Sequence, residues 1–319
     1  MKLKNRIDHN FALFFLIVPL TWAGSFIAGK YVVTEINPTA AVFWRFLFSA
    51  ITMFPLLIIF RRGSHPNLRD KDYLIHLLVV ALTSGVLYHL FFFWALRITS
   101  PTNAALIISL NPFFTAFAEI YIFKTKRPNR FYLGFGLSFL GAIWVTISRG
   151  GGVSLPGKGE LFCLVASVLW SFYTIYARKT KRPEWDSMWI GAYNYLLTAL
   201  ILLPIAYEVI AEHNLLQVSA SVWYGLVYLT IFPTVLGYTL FYIGVQKRGP
   251  AWAATYIYLV PSITGNLDHF FFNARLTIPM VFGTTIVVIG LIFGNITRKQ
   301  YLFLWHGLSK ALLFLHLKK

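Results

Sequence analysis

Residues 111–119 read Asn111-Pro112-Phe113-Phe114-Thr115-Ala116-Phe117-Ala118-Glu119, and residues 260–268 read Val260-Pro261-Ser262-Ile263-Thr264-Gly265-Asn266-Leu267-Asp268. Both carry the pattern Pro-x2-Thr-x3-acid, at an offset of 149 residues. Spacings of three and four place each Pro, Thr and acid on one helix face. The register extends along the chain. Trp22 and Lys30 match Trp170 and Arg178, and the run from Phe43 to Ala50 matches that from Ala192 to Ala199. Pro55 matches Pro204; Pro101, Ala104 and Ala105 match Pro250, Ala253 and Ala254; Gly134 and Gly141 match Gly283 and Gly290. Chance similarity between apolar runs would not keep Pro and Gly in step, so the chain reads as an internal duplication.

The composition says what kind of unit was duplicated. Hydrophobic residues make up 57% of the 319, charged residues 12%, and the mean hydropathy is +0.65. Soluble domains carry about 25% charged residues, so this is an integral membrane protein. Runs of about 20 apolar residues predict ten transmembrane helices near 11–33, 39–60, 73–96, 101–123, 131–149, 160–178, 188–207, 221–246, 250–272 and 278–297. The fold class is therefore all-α. The organisation is a five-helix repeat at 11–149, an external linker at 150–159 and a second repeat at 160–297. Five is odd, so the copies are inverted about a two-fold axis in the membrane plane. Two similar halves that exchange conformations give inward-open and outward-open states of comparable energy, with a substrate site near the midplane.

The net charge is +17, and 22 of the 28 Lys and Arg fall in alternate segments that include both termini. The positive-inside rule places residues 1–10 and the basic tail 298–319 in the cytoplasm. It also accounts for the excess charge without a nucleic-acid partner. Residues 11–33 are too long for the h-region of a cleaved signal peptide and read as a retained first span. The tail reads either as an interfacial helix or as a loosely ordered extension. Cys163 is the only cysteine, which excludes an internal disulfide and a cysteine metal cluster.

With these features, the sequence resembles the EamA family of the drug/metabolite transporter superfamily over residues 11–297. The carrying segments are Thr21-Trp22-Ala23-Gly24-Ser25 through Lys30, Arg45, Asn111-Pro112-Phe113-Phe114-Thr115, Gly134 and Gly141, with their copies. The resemblance implies transport of small metabolites, often amino acids or related amphipathic compounds, with export the expected direction and a bacterial inner membrane the expected location. It further implies that the first, third and fourth spans and their copies line the cavity. One departure stands out. The family often ends its fourth and ninth spans with a Glu, where this chain has Thr125 and Ala274.

Candidate functional residues follow from what a membrane span disfavours. An ionisable group at mid-span costs about 2.5–3.5 kcal/mol on insertion scales. Glu119 and Asp268 read as gating or proton-coupling carboxylates, Asp268 with Arg45 or Lys30 and Glu119 with Arg178; the competing reading makes them anchors of helix ends. Pro112 and Pro261 free backbone carbonyls near mid-span. Asn111, with Val260 at its repeat position, is an asymmetric polar contact for substrate, and Thr115 and Thr264 share its helix faces. Trp22, Tyr88, Trp94, Trp170, Tyr238, Tyr242 and Tyr256 are candidates for an aromatic cavity able to stack a planar ligand or hold a cation; packing is the alternative for each. His89 and His269 are possible proton carriers, and the glycines of the fifth and tenth spans are expected to permit close helix packing. The partners expected are a small-molecule substrate, the bilayer and protons, with no cofactor, no metal and no catalytic residues. His65-Pro66-Asn67-Leu68-Arg69-Asp70 fits an acyltransferase-like HxxxxD pattern but sits in a short loop. A membrane receptor or a lipid-modifying enzyme is the competing class.

Overall fold

A computed structural model describes residues 11, 13–59, 66–126, 128–147, 157–180, 182, 184–212, 215–272 and 278–295. The N-terminal segment 1–10, most of the 150–159 linker, the tail 298–319 and His65 lie outside the described residues. Every regular element among the described residues is helical. In chain order these are α1 Ile17–Glu35, α2 Pro38–Ile59, α3 Lys71–Ile98, α4 in two pieces (Pro101–Ile108 and Asn111–Phe123) and α5 Asn129–Ile147. Then come α6 Lys158–Lys179, α7 Ser187–Glu212, α8 Ala220–Arg248, α9 over 250–272 and α10 Ile278–Asn295. Of these, α2, α3, α6, α7 and α8 are long and apolar enough to cross a membrane.

The radial distribution of side chains is that of a membrane protein. Apolar residues such as Ile59, Phe117, Phe270 and Ile278 are exposed on the outside, while Arg45, His89, Asn111 and Thr115 are buried. In water such an apolar shell would drive aggregation; in lipid it is the solvated surface.

The two proline-centred stretches loosen their helices, as the missing proline N–H requires. α4 is interrupted at Ser109 and Leu110, just before Asn111-Pro112. α9 tightens into a 3₁₀ turn at Tyr256–Leu259, just before Val260-Pro261. A second matched irregularity lies in α3 and α8. Each contains a π-helical stretch, Ala81–Leu87 and Thr230–Tyr238, and the starting residues are again 149 apart. π-turns widen the backbone and often mark functional sites.

Packing repeats the same correspondence. α1 lies against α8 and α9, and α6 lies against α3 and α4; α2 packs on α7 and α5 on α10. The α5–α10 seam is made of glycine. A Cβ built at Gly134 would lie 2.4 Å from the backbone N of Gly294 and 2.5 Å from the Gly290 carbonyl oxygen. Ser138 then donates across the seam to the Val287 carbonyl at 3.1 Å. Gly249 turns α8 into α9 at φ 97°, a conformation that L side chains rarely adopt. Asp70, the acid of the HxxxxD pattern, caps α3 by accepting from the backbone N–H groups of Asp72 and Tyr73, which is a structural use.

Candidate functional site

His89, just after the widened turn of α3, meets Tyr238, the last residue of the widened turn of α8. His89, fully buried, directs Nδ1 at the carbonyl oxygens of Ser84 (2.7 Å) and Gly85 (3.0 Å). Both partners are acceptors, which assigns the proton to Nδ1 and leaves Nε2 to accept. The Tyr238 hydroxyl donates to it at 2.6 Å. That hydroxyl oxygen in turn accepts from Nη2 of Arg45 at 3.3 Å, while Arg45 Nε donates to Thr234 Oγ1 at 2.8 Å. The Thr234 hydroxyl in turn donates to the Leu229 carbonyl, five residues back at the start of the π-turn of α8. A continuous chain of hydrogen bonds thus runs from Arg45 through Tyr238 to His89. His89 and Tyr238 occupy the same position of the repeat, 149 residues apart.

Aromatic rings close around this chain. Trp22 and Trp170, also repeat counterparts, meet edge-to-face at 5.2 Å. Trp22 donates to the Pro233 carbonyl at 3.2 Å, so it is anchored to α8. Trp170 also packs on Tyr88, Tyr173, Tyr238 and Phe241. The Arg45 guanidinium lies 5.6–5.9 Å from the ring centres of Phe46, Phe93 and Tyr238, within cation–π range.

Two small cavities adjoin this cluster. The first is lined by Trp22, Ser25, Arg45, Tyr88, Asn111 and apolar neighbours, the second by Ser84, Tyr173, Asn194, Thr239, Tyr242 and others; Trp170 and Tyr238 line both. Each leaves a water centre about 20 Å³ of room, enough for a water molecule or so. Asn111 is oriented from α6: its Nδ2 donates to Ser167 O and Ser171 Oγ, each at 2.9 Å.

Six of the residues singled out from sequence, Trp22, Arg45, Tyr88, Asn111, Trp170 and Tyr238, meet at the first cavity, and Tyr242 joins the second. Four lie elsewhere. Trp94 is at the surface, its indole N–H donating to Thr39 Oγ1 at 3.2 Å. Tyr256 packs in a ring cluster with Phe15 and Trp252. Thr115 supports Asn111 from behind, donating to its Oδ1 at 3.4 Å. Thr264 sits in the α1–α9 seam, against the Ala23 carbonyl. Ser25 enters the sequence reading only as the end of the Thr21–Ser25 segment, and Thr234 has no local signal there.

The expected ion pairs are replaced by other partners. Lys30 donates to the carbonyls of Leu96 and Thr99 at the end of α3, and Arg178 to that of Gln246 near the end of α8. These are the same contact made twice, a cation satisfying the last carbonyls of a helix. The acids are also matched. Glu119 accepts from the backbone N–H of Ala251 at 2.6 Å, and Asp268 accepts a short hydrogen bond from the hydroxyl of Thr102. Ala251 and Thr102 are each the second residue of their helix, 149 apart. Each acid therefore sits at the N-terminus of a helix from the other half, where the dipole favours negative charge. His269 is half-buried against Phe270.

Comparison with known proteins adds the family. The model of the EamA-like transporter family matches residues 10–147 and again residues 157–296. The chain belongs to the EamA-like transporter family. Among curated relatives of this EamA-like chain, the uncharacterized transporter of Archaeoglobus fulgidus is 29% identical over 91% of this chain and 98% of its own length. The uncharacterized transporter YyaM of Bacillus subtilis is 25% identical over 84% and 88%. The uncharacterized inner membrane transporter YedA of Escherichia coli is 25% identical over 79% of each chain. One crystal structure shares the fold, with a TM-score of 0.69 at 18% identity, covering 88% of this chain and 94% of the other. The family and the relatives point to a transporter and not to an enzyme. In this EamA-like protein the chain of hydrogen bonds is flanked by two tryptophans in edge-to-face contact.

The chain of hydrogen bonds is testable on its own. Tyr238→Phe leaves His89 Nε2 buried without its donor and takes an acceptor from Arg45. It is expected to lower stability by about 1–3 kcal/mol, read as a lower melting temperature in detergent. An unchanged melting temperature would contradict the assignment.

Proposed function

We propose that this EamA-like protein is a secondary carrier that exports amino acids or related amphipathic metabolites across the bacterial inner membrane. It crosses the bilayer ten times, as two inverted repeats at 11–149 and 160–297, with both termini in the cytoplasm. The observation that carries the reading is the cavity itself. Trp22 meets Trp170 and His89 meets Tyr238, each residue touching its own repeat counterpart or near-counterpart. Two copies of one residue can touch only beside the axis that relates them, so the cavity lies on that axis, where an alternating carrier must keep its solute. A purely structural core there would have been filled with apolar side chains. This one holds Arg45, His89 and Asn111.

Glu119 and Asp268 act as the two gates. Glu119 ties α4 to the cytoplasmic end of α9, and Asp268 ties α9 to the outer end of α4. Both ties are made at once, and the cavity has room for about one water, which supports a state closed on both sides. Outward opening releases the Asp268 contact and inward opening the Glu119 contact.

The test is counterflow. Proteoliposomes loaded with a mixed pool of amino acids are expected to accumulate a labelled member transiently and saturably, with no ion gradient. Binding without accumulation would favour a receptor, and accumulation of none of the pool would exclude the amino-acid class.

A further inference from the structure

We propose that Arg45 is the docking point for the negative charge of the transported solute, so that the carrier selects compounds with a free carboxylate over their neutral counterparts. The inference rests on the carrier reading and adds the chemistry of the substrate to it.

Arg45 is 1% exposed. A charge so deeply buried is costly unless it is paired, and most buried arginines face a carboxylate. Among the described residues this one does not. Its partners are two neutral oxygens, Thr234 Oγ1 and the Tyr238 hydroxyl, and three aromatic rings. The guanidinium offers five N–H groups, and two hydrogen bonds leave donors over. Glu119 and Asp268 accept from Ala251 and Thr102, at the starts of α9 and α4.

A second donor at the same place also lacks an acceptor. Trp170, 4% exposed, lines the cavity with Arg45, and its indole N–H has no hydrogen-bond partner. The Asn111 amide N–H₂, by contrast, is already committed to α6. The cavity is therefore rich in free donors, and its occupant must supply acceptors and a negative charge. A planar carboxylate meets both needs, because it pairs with a guanidinium in the fork geometry. Among the described residues that line the cavity Arg45 is the one cation, which fits a monoanion better than a phosphate dianion. The apolar part of the solute then lies against Trp22, Tyr88 and Phe92.

The duplication sharpens the point. The repeat counterpart of Arg45 is Asn194, which lines the second cavity. The positive charge is thus confined to one half, and it is not required by the architecture the halves share.

The experiment uses matched acid and amide probes: L-phenylalanine with L-phenylalaninamide, L-leucine with L-leucinamide, and benzoate with benzamide. Two readouts are taken on the full-length protein, quenching of tryptophan fluorescence in detergent and counterflow in proteoliposomes. At least one acid is expected to bind at least about tenfold more tightly than its amide, the minimum for a charge-assisted hydrogen bond. Arg45→Gln should abolish that preference, and Arg45→Lys, which keeps the charge but not the fork, should retain part of it. The acid–amide comparison in the unmodified protein stands even if Arg45→Gln does not fold. Equal binding of acids and amides, binding of no acid, or an undiminished preference in folded Arg45→Gln would overturn the inference. Arg45-dependent acid binding without exchange would support the site and refute the carrier. Exchange indifferent to charge would do the reverse.

Discussion

Gly134→Leu is expected to yield no monodisperse protein after extraction in detergent. The Cβ of any residue other than glycine at position 134 would fall 2.4–2.5 Å from backbone atoms of Gly290 and Gly294. Backbone cannot rotate aside as a side chain can, so α5 and α10 would have to separate along their length. The Ser138–Val287 hydrogen bond would go with the seam. Overpacking costs about 1–3 kcal/mol and at times more; Gly134→Ala should fall near the upper end and Gly134→Leu beyond it. Gly136 provides the control. A Cβ there meets nothing within 4 Å, so Gly136→Leu should extract and melt like the unmodified protein. Equal behaviour of the two leucine variants would remove the close seam from the account.

Glu119→Ala and Asp268→Ala are expected to drive the protein towards opposite faces of the membrane. Each removes one tie between α4 and α9, and the ties lie at opposite ends of that helix pair. Losing a hydrogen bond to a charged acceptor costs about 1.5–3 kcal/mol, which is a shift of about tenfold or more in the balance between two states. Glu119→Ala should therefore favour the cytoplasm-open state and Asp268→Ala the outside-open state. The double variant should return to an even balance, at the cost of lower stability. Measured as reaction of an introduced cavity cysteine with impermeant maleimide from each side, displacement in the same direction by both variants would contradict the gating roles.

The matched ties also explain what could be read from sequence. The Pro-x2-Thr-x3-acid pattern and its offset were enough to identify Glu119 and Asp268 as counterparts and to locate the interruptions before Pro112 and Pro261, because both are local consequences of residue type and register. Their partners were not legible. Ala251 and Thr102 contribute a backbone N–H and a common hydroxyl, which carry no pattern. Arg45 was recognised as costly in a membrane, but its pairing with Asp268 followed from charge alone. The structure satisfies it instead with the hydroxyls exposed by the π-turn of α8, a backbone feature without a reliable sequence signature. Trp94 and Tyr256 lie away from the two cavities for a related reason. Aromatic side chains are so abundant here that residue type alone does not separate those lining the cavities from those at the surface or in a packed seam. The common repeat position of His89 and Tyr238 is the cue in the sequence that they meet.

An alternating carrier opens one cavity to each face of the membrane in turn. The most direct measurement places a cysteine at Ser25, which lines the first cavity, in a Cys163→Ser background, the native cysteine being buried. Labelling by an impermeant maleimide is then followed from outside and from inside in oriented membranes. Modification from both faces, slowed on both by a transported acid, is the predicted result. Modification from one face only, whatever is added, would mean that the halves do not exchange roles, and the alternating carrier would have to be given up.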